Sequence, residues 1–328
     1  MKFSPTNIRM WSRLGSCGTF GLAAMELPEV DENIVICTAD LCFYSGLERF
    51  KNKFPDRLYN IGIAEQNLLG IAGGLAKEGS NVFATTYASF ATTRSLDQVR
   101  VNMGYMQLPI KLIGLTSGLS VGILGATHMS IEDLAIMRAI PNITILSPAD
   151  CTETVKATLA AAKFPGPIYL RLTGTMDNPV VYKEDFEFQI GKANTLKKGT
   201  DIAIIATGTM VYNGLKATEI LEKQGISCSL IDMHTIKPLD VEAIESVKNH
   251  RLIVTIEEHT VIGGLGSAVA EYKAIANFCV PVLMLGIGDS FSHAAEYQQL
   301  IKRYKLTPED IATKIVLRLK EEENSDDK

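Results

Sequence analysis

The sequence predicts an α/β fold of two domains, and three observations support this. The chain has 328 residues, which is long enough for two domains. Short apolar runs typical of strands alternate with helical patterns, as expected where helices cover both faces of a parallel sheet. A polar stretch near residues 178–198 interrupts the alternation and contains a proline and a glycine, which is typical of a linker. We therefore predict a first domain over residues 1–180, a linker over 181–198 and a second domain over 199–328.

The predicted strands and helices follow one another in a regular order. The strand candidates of the first domain are NIVICTA, NVFATTY, PIKLIGL, NITIL and PIYLRL. Helical patterns over residues 90–103 and 131–139 lie between them. The second domain is predicted to contain DIAIIATG, a helix near 212–224, SCSLIDM, a helix near 240–249, RLIVTIEEH, a helix near 265–277 and VPVLMLGIG.

Composition and charge narrow the functional classes. Hydrophobic residues make up 46% of the chain and charged residues 21%, as in ordinary globular proteins. The net charge of −5 is spread along the chain without a basic cluster, which argues against a nucleic-acid surface. Six scattered cysteines without a CxxC pair indicate a reduced, cytoplasmic protein and no zinc site. No apolar run reaches the roughly 18–20 residues that span a membrane, so we expect no membrane association.

A carboxylate, Glu65, stands at the start of the predicted helix AEQNLLGIAGGLAKEG. Gly73 and Gly74 lie in the middle of this helix, where each glycine costs roughly 1 kcal/mol against alanine. Close approach of another backbone would explain them. Glu65 has two interpretations: a first-turn carboxylate that complements the helix dipole, or a functional group at the mouth of a tightly packed helix.

Two further groups of residues are candidates for a site. Tyr87 and Phe90 follow a predicted strand, with Arg94 four residues further on. The two rings either belong to the core or clamp a flat ring beside Glu65, because ligands of open α/β sheets bind at the carboxyl ends of strands. His128 ends a glycine-rich loop, a setting that favours a functional role over packing in a core.

These segments resemble the transketolase family. GIAEQN, TTYASF followed by LDQVR, GATHMSIEDLAIMRAIPN, SPAD and KLTPEDI occur in the family's order and spacing. The resemblance runs from about residue 8 to residue 320 and is closest to the C-terminal half of transketolases and of 1-deoxyxylulose-5-phosphate synthases. It implies a pyrimidine-binding domain with a parallel sheet, followed by a transketolase C-terminal domain.

The resemblance implies thiamine diphosphate as the cofactor. Glu65 matches the glutamate that hydrogen-bonds N1′ of the cofactor's aminopyrimidine and shares a proton with that ring nitrogen. This favours the imino form, which removes the C2 proton of the thiazolium ring. Tyr87 and Phe90 match aromatic residues that pack on the pyrimidine, and Asp40 and Leu41 match residues that line the cofactor.

The resemblance also implies a donor site that departs from the family pattern. His128 matches the histidine that contacts the donor ketose near its carbonyl, so Glu65 and His128 are the expected catalytic residues. The expected substrate-binding residues are Arg13 and Ser45, which match phosphate anchors of transketolases, Arg94 and Arg171, which match arginines of the synthases, and His128. The departures are Thr116 for a histidine, Leu124 for an acid, Met129 for a glutamine and Gly174 for an arginine. We therefore predict a donor that is a modified sugar.

The family's diphosphate-binding half has no counterpart in this sequence. Its GDG metal motif is matched only by GIGDSF at residues 286–291, which lies in the wrong domain. The resemblance therefore implies a partner subunit that holds the diphosphate and Mg²⁺ or another divalent cation, no metal ligands in this chain, and self-association. Together they would transfer a two-carbon ketol unit from a ketose to an aldehyde. Two alternatives stay open: the beta subunit of a 2-oxo acid dehydrogenase, and a catalytically silent regulatory subunit.

Overall fold

Two sheets, each packed between helices, form the protein and confirm the predicted pair of α/β domains. The structure is a computed structural model that describes the backbone of residues 1–326 and the side chains of residues 1–322. Residues 327–328, which we predicted to end the second domain, lie outside the described residues.

The sheet of the first domain is parallel except at one edge. Its strands are β1 (Ile34–Thr38), β2 (Leu58–Asn60), β3 (Asn81–Tyr87), β4 (Ile110–Leu115), β5 (Thr144–Leu146), β6 (Ile168–Arg171) and β10 (Thr235–Lys237). They lie in the order β10-β5-β6-β4-β3-β1-β2, and only β10 runs antiparallel. The helices are α1 (Pro5–Ala24), α2 (Leu27–Val30), α3 (Glu48–Lys53), α4 (Glu65–Lys77), α5 (Leu96–Gln98), α6 (Asp133–Ala139) and α7 (Cys151–Lys163).

The second domain contains a five-stranded sheet. Its strands are β7 (Asn194–Lys197), β8 (Ile202–Ala206), β9 (Cys228–Asp232), β11 (Leu252–Thr260) and β12 (Val282–Ile287). They lie in the order β12-β11-β8-β9-β7, and all strand pairs are parallel except β7 with β9. The helices are α8 (Met210–Glu222), α9 (Val241–Glu245), α10 (Leu265–Ala276), α11 (Tyr297–Arg303) and α12 (Pro308–Asp326).

Two strands cross the predicted domain boundaries. Strand β7 lies inside the segment predicted as a linker and pairs with β9 of the second sheet. Strand β10 comes from the second half of the chain but pairs with β5 of the first sheet. The segment without regular structure between the domains runs from residue 172 to residue 193.

The helical pattern predicted over residues 90–103 forms a wider helix than expected. Most of it is π-helical, over Phe90–Arg94 and Val99–Tyr105, with the short α5 between. Short polar side chains bond back to carbonyls one turn earlier, as Thr92 does to Ala88 at 2.8 Å. Such bonds compete with the helical ladder, and π-turns of this kind occur mostly at functional sites.

The carboxyl ends of the parallel strands form one edge of the first sheet. Asp40 follows β1, Tyr87 ends β3 and Thr116 follows β4. Helix α1 reaches the same region through a kink at Gly15 (φ 72°), where a Cβ atom would lie 2.7 Å from the Thr175 carbonyl oxygen. Only glycine tolerates both this conformation and this contact, so the kink fixes the position of α1.

Candidate active site

Glu65 is buried at the N-terminus of α4 with 3% of its surface exposed. The turn before it contains Gly62 (φ 81°), and the Ala64 N–H donates to the Gly62 carbonyl at 2.8 Å. Asn60 at the end of β2 fixes this turn, because its side-chain oxygen accepts from the N–H groups of Gly62 (3.0 Å) and Asp40 (3.1 Å). Asn60 was not singled out from the sequence, although its position just before the glycine turn could have identified it as a residue that fixes the turn.

Arg94 bonds directly to Glu65. Its Nη1 lies 2.9 Å from Glu65 Oε2, although the two residues are 29 positions apart. The same guanidinium lies over the Phe90 ring, 4.1 Å from its centroid. The π-turn places Phe90 and Arg94 on one face of the helix. The guanidinium of Arg94, a planar group with N–H donors, therefore contacts both the Phe90 ring and the buried carboxylate of Glu65.

Three rings surround this pair. Tyr87 and Phe90 lie edge to face, with centroids 6.0 Å apart, and His128 packs against both at 5.5 Å and 5.1 Å. Burial raises the pKa of Tyr87, so its hydroxyl stays protonated at neutral pH. The structure thus brings together five predicted site residues from four segments: Glu65, Tyr87, Phe90, Arg94 and His128.

The other predicted cofactor residues lie beside this cluster. Asp40 is exposed in a left-handed conformation (φ 60°), and its carboxylate accepts from the Asn60 amide at 2.8 Å. Leu41 is buried. Tyr44 contacts Tyr87, with centroids 6.5 Å apart, and is 63% exposed. Tyr44 is a candidate that sequence reasoning missed, because position alone did not show which side chain of this loop faces the cluster.

Ser45 and Arg171 do not join the cluster. Ser45 is fully buried, and its hydroxyl donates to the carbonyls of Leu41 (2.7 Å) and Cys42 (3.2 Å). Arg171 is also fully buried, and its Nε donates to Asp133 at 2.8 Å. Both side chains are therefore engaged inside the protein, whereas the resemblance to the family had implied contacts with the substrate.

Arg13 lies on the exposed side of α1, next to the loop after β6. Its carbonyl accepts from the Asp177 N–H at 3.4 Å. In that loop Gly174 has φ 84°, and a Cβ atom there would lie 2.8 Å from the Asn178 amide. An arginine at position 174 would therefore need this loop to rebuild.

The other departures from the family pattern differ in exposure. Leu124 is 47% exposed at the end of a single 3₁₀ turn, Gly122–Leu124. Thr116 is half-buried with φ 52°, and Met129 is buried. An apolar side chain thus stands on the loop that leads to His128.

Neither a metal site nor a membrane segment is evident in the described part of the chain. Within residues 1–322, His, Cys, Asp and Glu side chains form no group of three or more that could hold a metal ion. Among the helices of residues 1–326, none is long and apolar enough to cross a membrane.

The fold and the site together define a class of protein: a two-domain α/β protein with a buried carboxylate and aromatic rings at the carboxyl edge of its first sheet. Two family models match it, the transketolase pyrimidine-binding domain over residues 17–176 and the transketolase C-terminal domain over residues 191–311. The chain belongs to the transketolase family, which confirms the resemblance found in the sequence. Membership implies dependence on thiamine diphosphate.

Several curated relatives are subunits or sections of transketolases. A putative transketolase C-terminal section of Methanocaldococcus jannaschii is 40% identical, over 92% of this chain and 96% of its own length. A subunit of the apulose-4-phosphate transketolase of Phocaeicola vulgatus is 39% identical, over 88% and 92%. A subunit of the 6-deoxy-6-sulfo-D-fructose transketolase of Clostridium sp. (strain MSTE9) is 38% identical, over 88% and 89%.

A solved structure has the same architecture. It is described as a split gene transketolase, inactive beta4 tetramer, and it superposes with a TM-score of 0.84 at 37% identity. The match covers 92% of this chain and 96% of that one. Full-length family members are longer, and the chain spans 48% of a 1-deoxy-D-xylulose-5-phosphate synthase of Dictyoglomus thermophilum, to which it is 36% identical.

Proposed function

We propose that this chain is the pyrimidine-binding subunit of a heteromeric transketolase, which transfers a two-carbon ketol unit from a ketose donor to an aldehyde acceptor. The observation that carries the proposal is the contact set of Arg94. Its planar, N–H-bearing guanidinium stacks on Phe90 and donates to Glu65, and an aminopyrimidine ring needs the same two contacts. The residues present therefore fit the pyrimidine end of thiamine diphosphate, which when bound supplies the nucleophilic carbon of the reaction.

Each side chain of the cluster has one task in this proposal. Glu65 shares a proton with N1′ of the pyrimidine, which requires a carboxyl group held in place away from bulk water. Tyr87 and Phe90 hold the ring by stacking, and Asp40 and Leu41 line its edge. His128 faces the donor and holds or releases a proton at the donor's carbonyl oxygen.

Arg94 changes partners when the cofactor binds. Its side chain is 48% exposed, whereas Glu65 is buried, so water can solvate the guanidinium once it leaves. The pyrimidine takes its place as the hydrogen-bond partner of Glu65, so the buried carboxyl group is not left unpaired. Once released, the guanidinium lies beside the cluster, where it and Arg13 bind the anionic end of the donor.

A partner subunit completes the site. Relatives of nearly equal length are named as subunits or C-terminal sections, which supports a separate N-terminal transketolase-like chain that binds the diphosphate and a divalent cation. Exposed apolar side chains of the segment after Phe90, among them Tyr105 at 83% and Met106 at 41%, support contacts with that partner or with a second copy of this chain. A structurally similar relative is itself described as a tetramer of beta chains.

We further propose that the donor is a deoxy, branched or otherwise modified ketose. Leu124 offers an apolar surface, and a site without the hydrogen-bond partner tolerates a missing hydroxyl that a polar site would reject. The loop at Gly174 has no room for a further guanidinium, and Ser45 and Arg171 are engaged elsewhere. Two relatives are named for donors other than xylulose 5-phosphate or fructose 6-phosphate.

A donor panel with the reconstituted complex tests this function. It compares xylulose 5-phosphate and fructose 6-phosphate with deoxy, sulfo and non-phosphorylated ketoses, and it includes a 2-oxo acid with a lipoyl acceptor. We expect a modified ketose to have the highest kcat/KM. If xylulose 5-phosphate were the best donor, at about 10⁴ M⁻¹s⁻¹ or above, the donor proposal would be wrong. Oxidative decarboxylation of the 2-oxo acid would instead reassign the chain to the dehydrogenases.

A further inference from the structure

The loop that carries His128 is closed at its base and held by the second domain. Gly118 and Ser130 exchange two backbone hydrogen bonds, of 2.8 Å and 3.1 Å, so residues 118–130 form a closed loop. Within it, the Gly122 carbonyl accepts from the Ala295 N–H at 3.1 Å. Loops held only at their ends move readily, so contacts inside this loop decide how well His128 is placed.

A single carboxylate of the second domain holds the first turn of this loop. Glu258 lies on β11 and is fully buried. Its Oε1 accepts from the Leu119 N–H at 2.6 Å, and its Oε2 accepts from the hydroxyls of Thr209 and Tyr297, both at 2.6 Å. The carboxylate lies so close to the loop that a Cβ atom on Gly118 would be 2.4 Å from Oε1.

The neighbouring carboxylate has a different task. Glu257 is also fully buried, but successive strand residues point to opposite faces of the sheet. Its two oxygens accept from the N–H groups of Leu265 and Gly266 at the start of α10, at 2.7 Å and 2.8 Å. Glu257 thus caps a helix inside its own domain, whereas Glu258 reaches across to the loop of the other domain.

We propose that Glu258 is a positioning residue for His128: it fixes loop 118–130 against the second domain and so sets the distance between His128 and the donor. The link to the donor rests on the proposed function, whereas the link to the loop does not. A free Leu119 N–H would leave a buried donor unsatisfied, and the loop would open more often to let water reach it.

The test uses three matched variants. Glu258→Met removes the acceptors but keeps the chain length, Glu258→Gln restores an acceptor for Leu119, and Glu257→Met is the control that loses a buried carboxylate without touching the loop. Amide hydrogen exchange of peptides from residues 118–130 is measured on the isolated chain. Donor KM, kcat and C2-proton exchange of thiamine diphosphate are measured on the reconstituted complex.

We expect Glu258→Met to increase the rate of amide exchange in the loop on the order of 10–100-fold, because one buried hydrogen bond is lost. Donor KM should rise about tenfold with C2-proton exchange unchanged, while Glu258→Gln and Glu257→Met keep the wild-type loop. Equal loop exchange in Glu258→Met and wild type, or an equal gain in Glu257→Met, would overturn the proposal. So would a mobile loop with an unchanged donor KM.

Two safeguards keep the test decisive. If Glu258→Met did not fold, Tyr297→Phe would replace it, because that variant removes one hydroxyl that holds Oε2; it should raise loop exchange in the same direction by a smaller factor. If the complex used no ketose at all, the proposed function would fail, and the amide exchange would still decide whether Glu258 holds the loop.

Discussion

At the scale of single residues, Glu65 is the group on which the proposed chemistry depends. Its carboxylate is buried, accepts a hydrogen bond from Arg94, which lies over the Phe90 ring, and stands at a helix N-terminus, where a negative charge is favoured. The two interpretations offered by the sequence are compatible: the helix dipole stabilises the carboxylate, and the neighbouring aromatic cluster supports the proposed role in cofactor binding.

Glu65→Gln should abolish turnover while leaving the fold intact. The amide keeps the size of the side chain but cannot share a proton with N1′, so C2-proton exchange should fall by a factor on the order of 10²–10⁴. His128→Ala should lower kcat with C2-proton exchange preserved. Glu78→Gln, at the exposed far end of the same helix, is the control. Near-wild-type turnover of Glu65→Gln would place the cofactor elsewhere, and equal losses of exchange in Glu65→Gln and His128→Ala would refute the division of roles.

Arg94→Met separates the two tasks that we assign to Arg94. Loss of the guanidinium should raise the donor KM about tenfold, as expected for one hydrogen bond to a charged group. Thiamine diphosphate should bind the complex at least as tightly as before, because the ring no longer displaces a side chain from Glu65. Arg100→Met, in the following π-helical segment, is the matched control. A tenfold weaker cofactor affinity in Arg94→Met would show that Arg94 holds Glu65 in place instead of leaving it.

At the scale of elements, a pair of buried acids joins the two domains. Glu153 on α7 and Asp232 at the end of β9 are fully buried, and Tyr182 of the connecting segment donates to Asp232 at 2.6 Å. Burial raises the pKa of Asp232 to about 7 and that of Glu153 well above its usual range. The other carboxyl oxygen of Asp232, Oδ1, has no hydrogen-bond partner among the described residues. A proton shared between Asp232 and Glu153 would satisfy it, and we infer that the two acids share one.

This pair makes stability depend on pH. A carboxyl group whose pKa is raised in the folded state makes its full contribution to the stability of the protein below its unfolded pKa. This contribution is lost as the pH rises through the folded pKa. For Asp232 that window runs from 3.8 to about 7. Asp232→Asn keeps the contact with Tyr182 but cannot ionise. Relative to wild type, its free energy of unfolding should therefore rise between pH 5 and pH 8, by roughly 3 kcal/mol at about 1.4 kcal/mol per pH unit up to the folded pKa.

Chemical unfolding at several pH values checks this prediction. Burial lowers the pKa of His234 and His259 to about 4, and their titration affects the stability of both proteins alike. The difference in free energy of unfolding between Asp232→Asn and wild type therefore reports on the acid pair. A difference that does not vary with pH would contradict the shared proton.

The sequence predicted the central strands and singled out residues that the structure brings together in one cluster, but it did not predict how distant elements pair. A strand such as β4 can be recognised from its own run of apolar residues. In contrast, β7 and β10 are short edge strands whose pairing depends on distant residues. The π-turns were missed because their apolar spacing resembles that of an α-helix. Arg171 was expected to bind the substrate because it matches an arginine of the 1-deoxyxylulose-5-phosphate synthases. Its partner Asp133 lies 38 positions away, and no local sequence pattern indicates such a pair.

At the scale of the whole molecule, we propose that the chain supplies one half of a site. It presents the residues for a pyrimidine ring, whereas a diphosphate with a divalent cation needs oxygen ligands of its own. Within residues 1–322 no group of acids and histidines is arranged to hold such an ion. Our central proposal is that cofactor binding requires both this chain and an N-terminal transketolase-like subunit, as the names of relatives of nearly equal length support.

Calorimetric titration of thiamine diphosphate with Mg²⁺ tests that claim most directly. The titration is carried out on this chain alone, on the N-terminal transketolase-like subunit alone, and on their equimolar mixture. We predict tight, Mg²⁺-dependent binding only in the mixture. Tight, Mg²⁺-dependent binding to this chain alone, or a mixture that binds no better than its separate components, would contradict the account.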